Sequence, residues 1–368
     1  MAQIVKRAFK FRLHPTNEQA DELTRTFGCA RLVHNKALEE RTRAYTLEGR
    51  RISYVQSSAT LTEWKRTDEP AFLNEVSSVP LQQALRHLQA AFTNFFTQRA
   101  EYPTFKSRKK SRHSAEYTRS AFTCRDGRLT LAKMDGSLNV VWSRPLPEDA
   151  NPSTVTVSKD AAGRWFVSIL CEDRISPLPP TANTVGVDVG ITALATLSTG
   201  EKIVNPRHER TDRRKLAKAQ RNLARKEKGS ANRQKARLTL ARVHARITDR
   251  RRDHPHKVTT RLVRENQTVV IEDLTVRTMV KNHSLARAIS DASWREMRSM
   301  LEYKAQWYRR ELLVVDRWFP SSKLCSACGT TQRSMPLGVR TWVCACGAVH
   351  DRDVNAAKNI LAAGLAER

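Results

Sequence analysis

No stretch of this 368-residue chain approaches the ~20 consecutive apolar residues that a membrane-spanning helix needs. No secretory pattern is read either, because Met1–Arg7 runs directly into a charged, strand-like segment. An even number of cysteines is also lacking. The count is seven, and Cys29, Cys124 and Cys171 stand apart from the rest, which fits a reducing compartment better than a disulfide framework. A soluble cytoplasmic protein is the expectation. Acidic residues are scarce too, 37 against 65 Lys+Arg, so the net charge is +28. Solubility needs far less, and an excess of this size points to a polyanionic partner, nucleic acid above all.

What is present supports two or three cores, since 40% of the residues are apolar. Phe9, Phe11 and Leu13 alternate with Lys10 and Arg12, a half-buried strand. Thr16 with Gln19 forms a candidate capping box for a helix through Leu23, Phe27, Arg31 and Asn35, with a break expected near Gly28. Leu81, Leu85, Leu88, Phe92 and Phe95 form the apolar stripe of a second helix. A basic loop at 105–112 suits phosphate contacts. From about 121 to 171, short strands separated by Asp126-Gly127, Asp135-Gly136 and Ala162-Gly163 read as hairpins of a small barrel or sandwich. Ser176-Pro177-Leu178-Pro179-Pro180 is the strongest candidate linker.

Two features carry chemistry. Cys325-Ser-Ala-Cys328-Gly329 is followed, fifteen residues on, by Cys344-Ala-Cys346-Gly347. Two tight thiolate pairs predict a closed, structural tetrahedral zinc site, with each glycine supplying the turn. The second feature is a set of three acids. Asp188 lies inside the apolar strand Val185–Ile191, where a charge is costly unless a divalent metal or another partner meets it; an edge-strand Asp facing water is the alternative. Glu272 ends the apolar run Thr268–Ile271, a place where a turn acid also fits. Asp353 falls in the first turn of a helix through Ala356, Ile360 and Leu361, and Asp351 is an equal candidate for its N-cap.

The motifs Gly186-Val-Asp-Val-Gly190, Ile271-Glu-Asp-Leu274, Phe319-Pro-Ser-Ser-Lys323, Arg340-Thr-Trp342 and Asp351-Arg-Asp-Val-Asn-Ala-Ala357, together with the cysteine pairs, resemble the TnpB (OrfB) family. Phe9-Lys-Phe-Arg-Leu13 and Gly28-Cys-Ala-Arg31 resemble its opening segment, so the likeness spans nearly the whole chain. Members are transposon-encoded, RNA-guided DNA endonucleases related to type V CRISPR effectors. The resemblance implies an α/β nuclease domain of RNase H-like (RuvC) fold with an inserted zinc ribbon, preceded by an N-terminal β-barrel holding a helical recognition domain. The expected boundaries are 1–180 for the barrel, with its insertion at about 16–120, and 181–368 for the nuclease domain, with a basic hairpin at 207–264 and the ribbon at 321–348.

It further implies Asp188, Glu272 and Asp353 as catalytic ligands of Mg²⁺, with structural Zn²⁺ on Cys325, Cys328, Cys344 and Cys346. A guide RNA from the transposon end and a double-stranded DNA target are the implied partners. Tyr54, Gln82 and Thr123 are implied readers of a short DNA motif beside the target. One departure is the second knuckle, Cys-x-Cys instead of Cys-x-x-Cys. The alternatives are a nuclease-inactive guided repressor, which all three acids argue against, and a DNA transposase, for which no nucleophilic Tyr or Ser motif is found.

The interval 207–264 holds 21 basic and 5 acidic residues, a net of +16. Leu216, Leu223, Leu240, Val243, Ile247 and Leu262 recur at helical spacing on either side of Gly229-Ser230, predicting a helical hairpin with one apolar seam. Its cationic face, including Arg213, Arg214, Lys215, Lys218, Arg221, Arg225, Lys226 and Lys228, suits the backbone of an RNA–DNA duplex read by shape.

Overall fold

The computed structural model describes residues 3–66, 71–109, 111–147, 150–336 and 338–368, so Lys110 of the basic loop lies outside the described residues. These form two compact units, Ile4–Arg174 and Ile175–Arg368. No helix among the described residues is long and apolar enough to cross a membrane.

In the N-terminal unit, β1 (Gln3–Leu13) buries Phe9, Phe11 and Leu13 and leaves their neighbours outward, as its alternation requires. The helix α1 (Asn17–Glu48) starts at a reciprocal cap. Thr16 Oγ1 accepts from the Gln19 amide at 3.3 Å, and Gln19 Oε1 accepts from the Thr16 amide at 3.2 Å. The helix then runs unbroken for 32 residues, correcting the expected break near Gly28. A glycine inside a helix costs only about 1 kcal/mol against alanine, and burial of Phe27, Ala30 and Val33 around it exceeds that. The helices α2 (Tyr54–Arg66) and α3 (Ser78–Phe96) pack on α1 around Val33, Leu38, Leu61, Leu81, Leu85 and Leu88.

The strands β2 (His113–Thr118), β3 (Phe122–Arg125), β4 (Arg128–Leu131), β5 (Val140–Val141), β6 (Pro152–Lys159) and β7 (Trp165–Ile175) complete the unit. They give a five-stranded sheet in the order β2-β6-β7-β1-β5, with β3 and β4 as a separate ribbon. The ribbon turns at Asp126 and Gly127, both with positive φ, as a two-residue hairpin turn demands.

The C-terminal unit opens with β8 (Thr184–Val189), β9 (Ala193–Leu197) and β10 (Lys202–Val204). The predicted hairpin follows as α4 (His208–Ala224) and α5 (Ala231–Glu265), turning at Gly229 and Ser230. Ser230 caps α5 by accepting from the Arg233 amide at 3.1 Å. Next come β11 (Thr268–Glu272), α6 (Val276–Met279), α7 (Ala286–Ala292), α8 (Trp294–Tyr308) and β12 (Glu311–Val315). A small ribbon of β13 (Thr341–Val343) and β14 (Val349–Asp351) leads into α9 (Arg352–Ala366).

The main sheet has the order β10-β9-β8-β11-β12. Its first three strands pair antiparallel, while β8, β11 and β12 run parallel. Residue parity divides its two faces. Val185, Val187, Val269 and Ile271 join a core with α5 and α8 through Val258, Leu262, Trp294, Met297 and Leu301. Val270 on the opposite face meets Val315 and Ile360 of α9. Two glycines let α9 lie unusually close. A Cβ on Gly186 would stand 2.1 Å from the Ala357 carbonyl oxygen, and one on Gly364 would stand 2.4 Å from Val270.

Candidate active site

Asp188 is two residues after Gly186, so period-2 alternation turns it to the α9 face of β8. Glu272 is two residues after Val270 and faces the same way from β11. The parallel register pairs Ile271 with Val187, which sets Glu272 beside Asp188 at the carboxyl ends of adjacent strands. Such strands lie about 4.8 Å apart. The helix α9 brings Asp353 to this edge from above, in its first turn.

The electrostatics follow from that convergence. Burial, then the negative charges of Glu272 and Asp353, push the Asp188 carboxyl well above its ordinary range, and Arg352 offsets this only in part. Burial also raises Glu272, against the stabilising hydrogen bond from Ser321, whose hydroxyl donates to Glu272 Oε1. Asp273, next in sequence, shifts the opposite way because Arg298 and Arg317 both bond its carboxylate.

Asp351 has a different task. Its Oδ1 accepts from the amides of Asp353 and Val354 at 3.1 and 3.0 Å, capping α9, and its Oδ2 pairs with Lys202 at 2.6 Å. Burial works against its ionisation, but Lys202 and the two amides outweigh it and hold the carboxyl below the usual range. Asp353 has a looser partner, Arg340 at 3.8 Å.

The four thiols of Cys325, Cys328, Cys344 and Cys346 come together with all sulfurs within 4.8 Å of one another. Among the described residues they are the one group of three or more metal-binding side chains drawn that tightly. The Cys325–Cys346 and Cys328–Cys344 sulfur separations are 3.9 and 3.6 Å. Thiolates about 2.3 Å from a tetrahedral zinc ion stand about 3.8 Å apart, so the cluster has the right size for that ion. Gly329 and Gly347 adopt positive φ at the two knuckles, so the shortened second pair still closes.

The cluster is also wired to the acids. The Asn355 side chain accepts from the Ser326 amide at 2.9 Å and donates to the Leu324 carbonyl at 2.7 Å. Asn359, one turn on, donates to the carbonyls of Ser321 and Leu324 at 2.8 and 2.6 Å. Buried His350 places Nε2 3.0 Å from Cys325 Sγ. His350 and Asn359 carry no signal of this role in sequence, whereas Ser321 and Asn355 lie inside the motifs Phe319–Lys323 and Asp351–Ala357.

The other expected residues are dispersed. Tyr54 starts α2, and its hydroxyl accepts from Arg86 Nε at 3.2 Å. Exposed Gln82 lies one helical turn before Arg86 on α3. Thr123 is exposed on β3, opposite Thr130. Of the hairpin cations, Arg213 is held by Glu209 at 2.8 Å and Lys215 lies 3.6 Å from buried Asp212. Arg214, Lys218, Arg221, Arg225 and Lys228 are exposed, and Lys226 is half-buried.

Three sequence families match successive parts of the chain. IS605 OrfB, described as "Probable transposase", matches residues 166–283, the "Cas12f1-like, TNB domain" matches 294–360, and an OrfB "Helix-turn-helix domain" matches 1–50. The described part of that last range is one strand and one continuous helix. A Streptomyces pristinaespiralis protein named "Putative RNA-guided DNA endonuclease" is 73% identical over 366 residues, covering 100% of this chain and 91% of its own. The chain belongs to the TnpB (OrfB) family. The InsQ protein of Escherichia coli K12, similarly named, is 36% identical over 98% of this chain and 92% of its own. The fold resembles that of Cas12f1 in its complex with sgRNA and target DNA, with a TM-score of 0.59 at 12% identity over 97% of this chain and 98% of that one.

Proposed function

We propose that the protein is an RNA-guided DNA endonuclease whose centre is Asp188, Glu272 and Asp353. The observation that carries this reading is the convergence of three carboxylates, from two parallel strands and a helix N-terminus, in a chain of net charge +28. Asp188 and Glu272, both pushed upward by burial, form with Asp353 a hard-oxygen donor set suited to Mg²⁺, just as the four thiols suit Zn²⁺. Asp188, Glu272 and Asp353 would hold Mg²⁺, whose chemistry there would be to activate a water and to stabilise charge on the leaving 3′ oxygen.

The chain's own groups set the geometry. Ser321 fixes the Glu272 carboxylate, Asp351 caps the helix that presents Asp353, and Asn355 and Asn359 tie that helix to the first cysteine knuckle. In this reading the parallel-stranded unit is an RNase H-like (RuvC) nuclease with zinc ribbon 321–348. The N-terminal sheet and its helices are then the barrel and recognition module of residues 1–180. The exposed cations of 207–264 hold the guide–target duplex, and Tyr54, Gln82, Arg86 and Thr123 contact a short flanking DNA motif.

The relatives' shared name, and the sgRNA and DNA in the Cas12f1 complex, support guide RNA and duplex DNA as partners. The test is to sequence the RNA that co-purifies with the protein, then to offer matching duplexes with and without Mg²⁺. Metal-dependent double-strand cleavage is expected. Binding without cleavage would point to a guided repressor, and strand joining to a transposase.

A further inference from the structure

The loop at 316–321, which leaves β12, begins and ends at Glu272. At its start, Glu272 is paired in register with Val315, and the Asp273 amide donates to the Val315 carbonyl at 2.9 Å. At its end is Ser321, bonded to the Glu272 carboxylate. Between these anchors, Arg317 donates to Asp273 and to Thr275 Oγ1. The Asp316 carboxylate accepts from the Trp318 amide at 2.8 Å, and the Asp316 carbonyl accepts from the Phe319 amide at 3.1 Å. The backbone is thus held without help from the loop's largest side chain.

That side chain is Trp318, 85% exposed and the most exposed large apolar residue among those described. Phe319 beside it packs on the cluster of Val270, Val315 and Ile360, whereas Trp318 joins no cluster of the unit. An indole left in water forgoes the roughly 2–3 kcal/mol of burial open to a large aromatic, and here it gives nothing to the fold. Its ring is open to solvent on a loop whose two ends are both anchored at Glu272, in a protein whose charge demands a nucleic acid. Base–aromatic stacking is the general way in which proteins hold a single strand irrespective of sequence, because every unpaired base has a π-face.

We infer that Trp318 is a stacking post for an unpaired nucleobase of the DNA strand presented to Asp188, Glu272 and Asp353. The stack sets where along that strand the scissile phosphate falls. Arg317 is engaged by Asp273 and Thr275, so the post holds the base and the phosphates find their cations elsewhere. This rests on the nuclease reading of the acids.

The test uses the full chain with its co-purified RNA and duplexes matching that RNA, with 2-aminopurine moved position by position along both DNA strands. In an Asp188→Ala background, which leaves the strands intact, the indole quenches the probe at one position. Adding Trp318→Ala restores the emission, and Trp318→Phe retains most of the quench. In the protein with intact acids, Trp318→Ala lowers single-turnover cleavage roughly 5- to 150-fold, the equivalent of about 1–3 kcal/mol per stacked base. RNA retention and melting temperature stay unchanged. Unchanged emission at every position, or loss of RNA retention in Trp318→Ala, overturns the proposal. If the unaltered protein cuts no matching duplex, the nuclease reading fails on that result alone, while the emission scan still decides the stacking.

Discussion

Asp188 and Asp351 show how one residue type takes opposite tasks within one unit of the chain. The Asp188 carboxyl is raised by burial and by Glu272 and Asp353, so the folded protein binds its proton more tightly than the unfolded chain does. Stability from this group is therefore present below the ordinary carboxylate range and is lost as pH rises through the raised value. In Mg²⁺-free buffer, Asp188→Asn should melt higher than the unaltered protein at pH 8, with the gap closing towards pH 4; with Mg²⁺ added at pH 8 it should abolish cleavage. A lower melting temperature for the Asn variant at pH 8 would refute the charge repulsion. The neighbouring pair gives a second contrast. Asp351→Ala removes a helix cap, costing about 1 kcal/mol, and should lower the melting temperature while cleavage persists. Asp353→Ala should leave the melting temperature close to normal and cleavage at least 10³-fold lower. The reverse outcome would make Asp351 the third ligand. Asp188 was legible in sequence because a charge inside an apolar strand requires a partner. Ser321 stands in a recognisable motif, but its bond to Glu272 was not legible, because it joins positions 49 apart that share no local pattern.

At the scale of elements, the close seat of α9 on the sheet decides whether the third acid arrives. Gly186→Ala would drive a methyl into the Ala357 carbonyl at 2.1 Å, so the helix must move. Overpacking of this kind costs about 1–3 kcal/mol, and cleavage should fall further than the melting temperature alone explains, as paired melts and single-turnover rates would show. The zinc ribbon makes a parallel demand. Cys325→Ser should release the metal, and hydrogen exchange should then quicken across 321–326 and the first turns of α9, which Asn355 and Asn359 bind to that loop. One zinc per chain in the unaltered protein, and none in the variant, is the expected metal content. A stable, active, zinc-free variant would refute the coupling. The capping box at Thr16 and the hairpin turn at Gly229-Ser230 could be read from sequence because both are local chemistry. The unbroken course of α1 could not, because packing on both sides of Gly28 overrides a local preference. The five-stranded order of the N-terminal sheet was beyond reach as well, since β1 pairs with β5 across more than a hundred residues.

For the whole molecule the dominant quantity is charge. Each phosphate contact contributes roughly 0.7–0.9 to the slope of log affinity against log salt. Replacing Arg214, Lys218, Arg221 and Arg225 by Gln should therefore flatten that slope by about 3, measured by nucleic-acid binding across a salt series. Arg213→Gln and Lys215→Gln should change it less, because Glu209 and Asp212 already hold those side chains. No change from the fourfold variant would remove the hairpin from the interface. Composition alone announced this partner, since charge needs no fold to be counted, but which cations stay free is set by pairing within the helix. A last consequence belongs to α1. Its 32 residues extend about 48 Å, and its two ends belong to different cores: Leu23 and Phe27 lie with the sheet, Val33 to Leu38 with the helices. A rod clamped in both cores transmits torque without bending. A load placed on α2 and α3 at one end would therefore reach the sheet at the other, and the N-terminal unit would respond to it as a single lever.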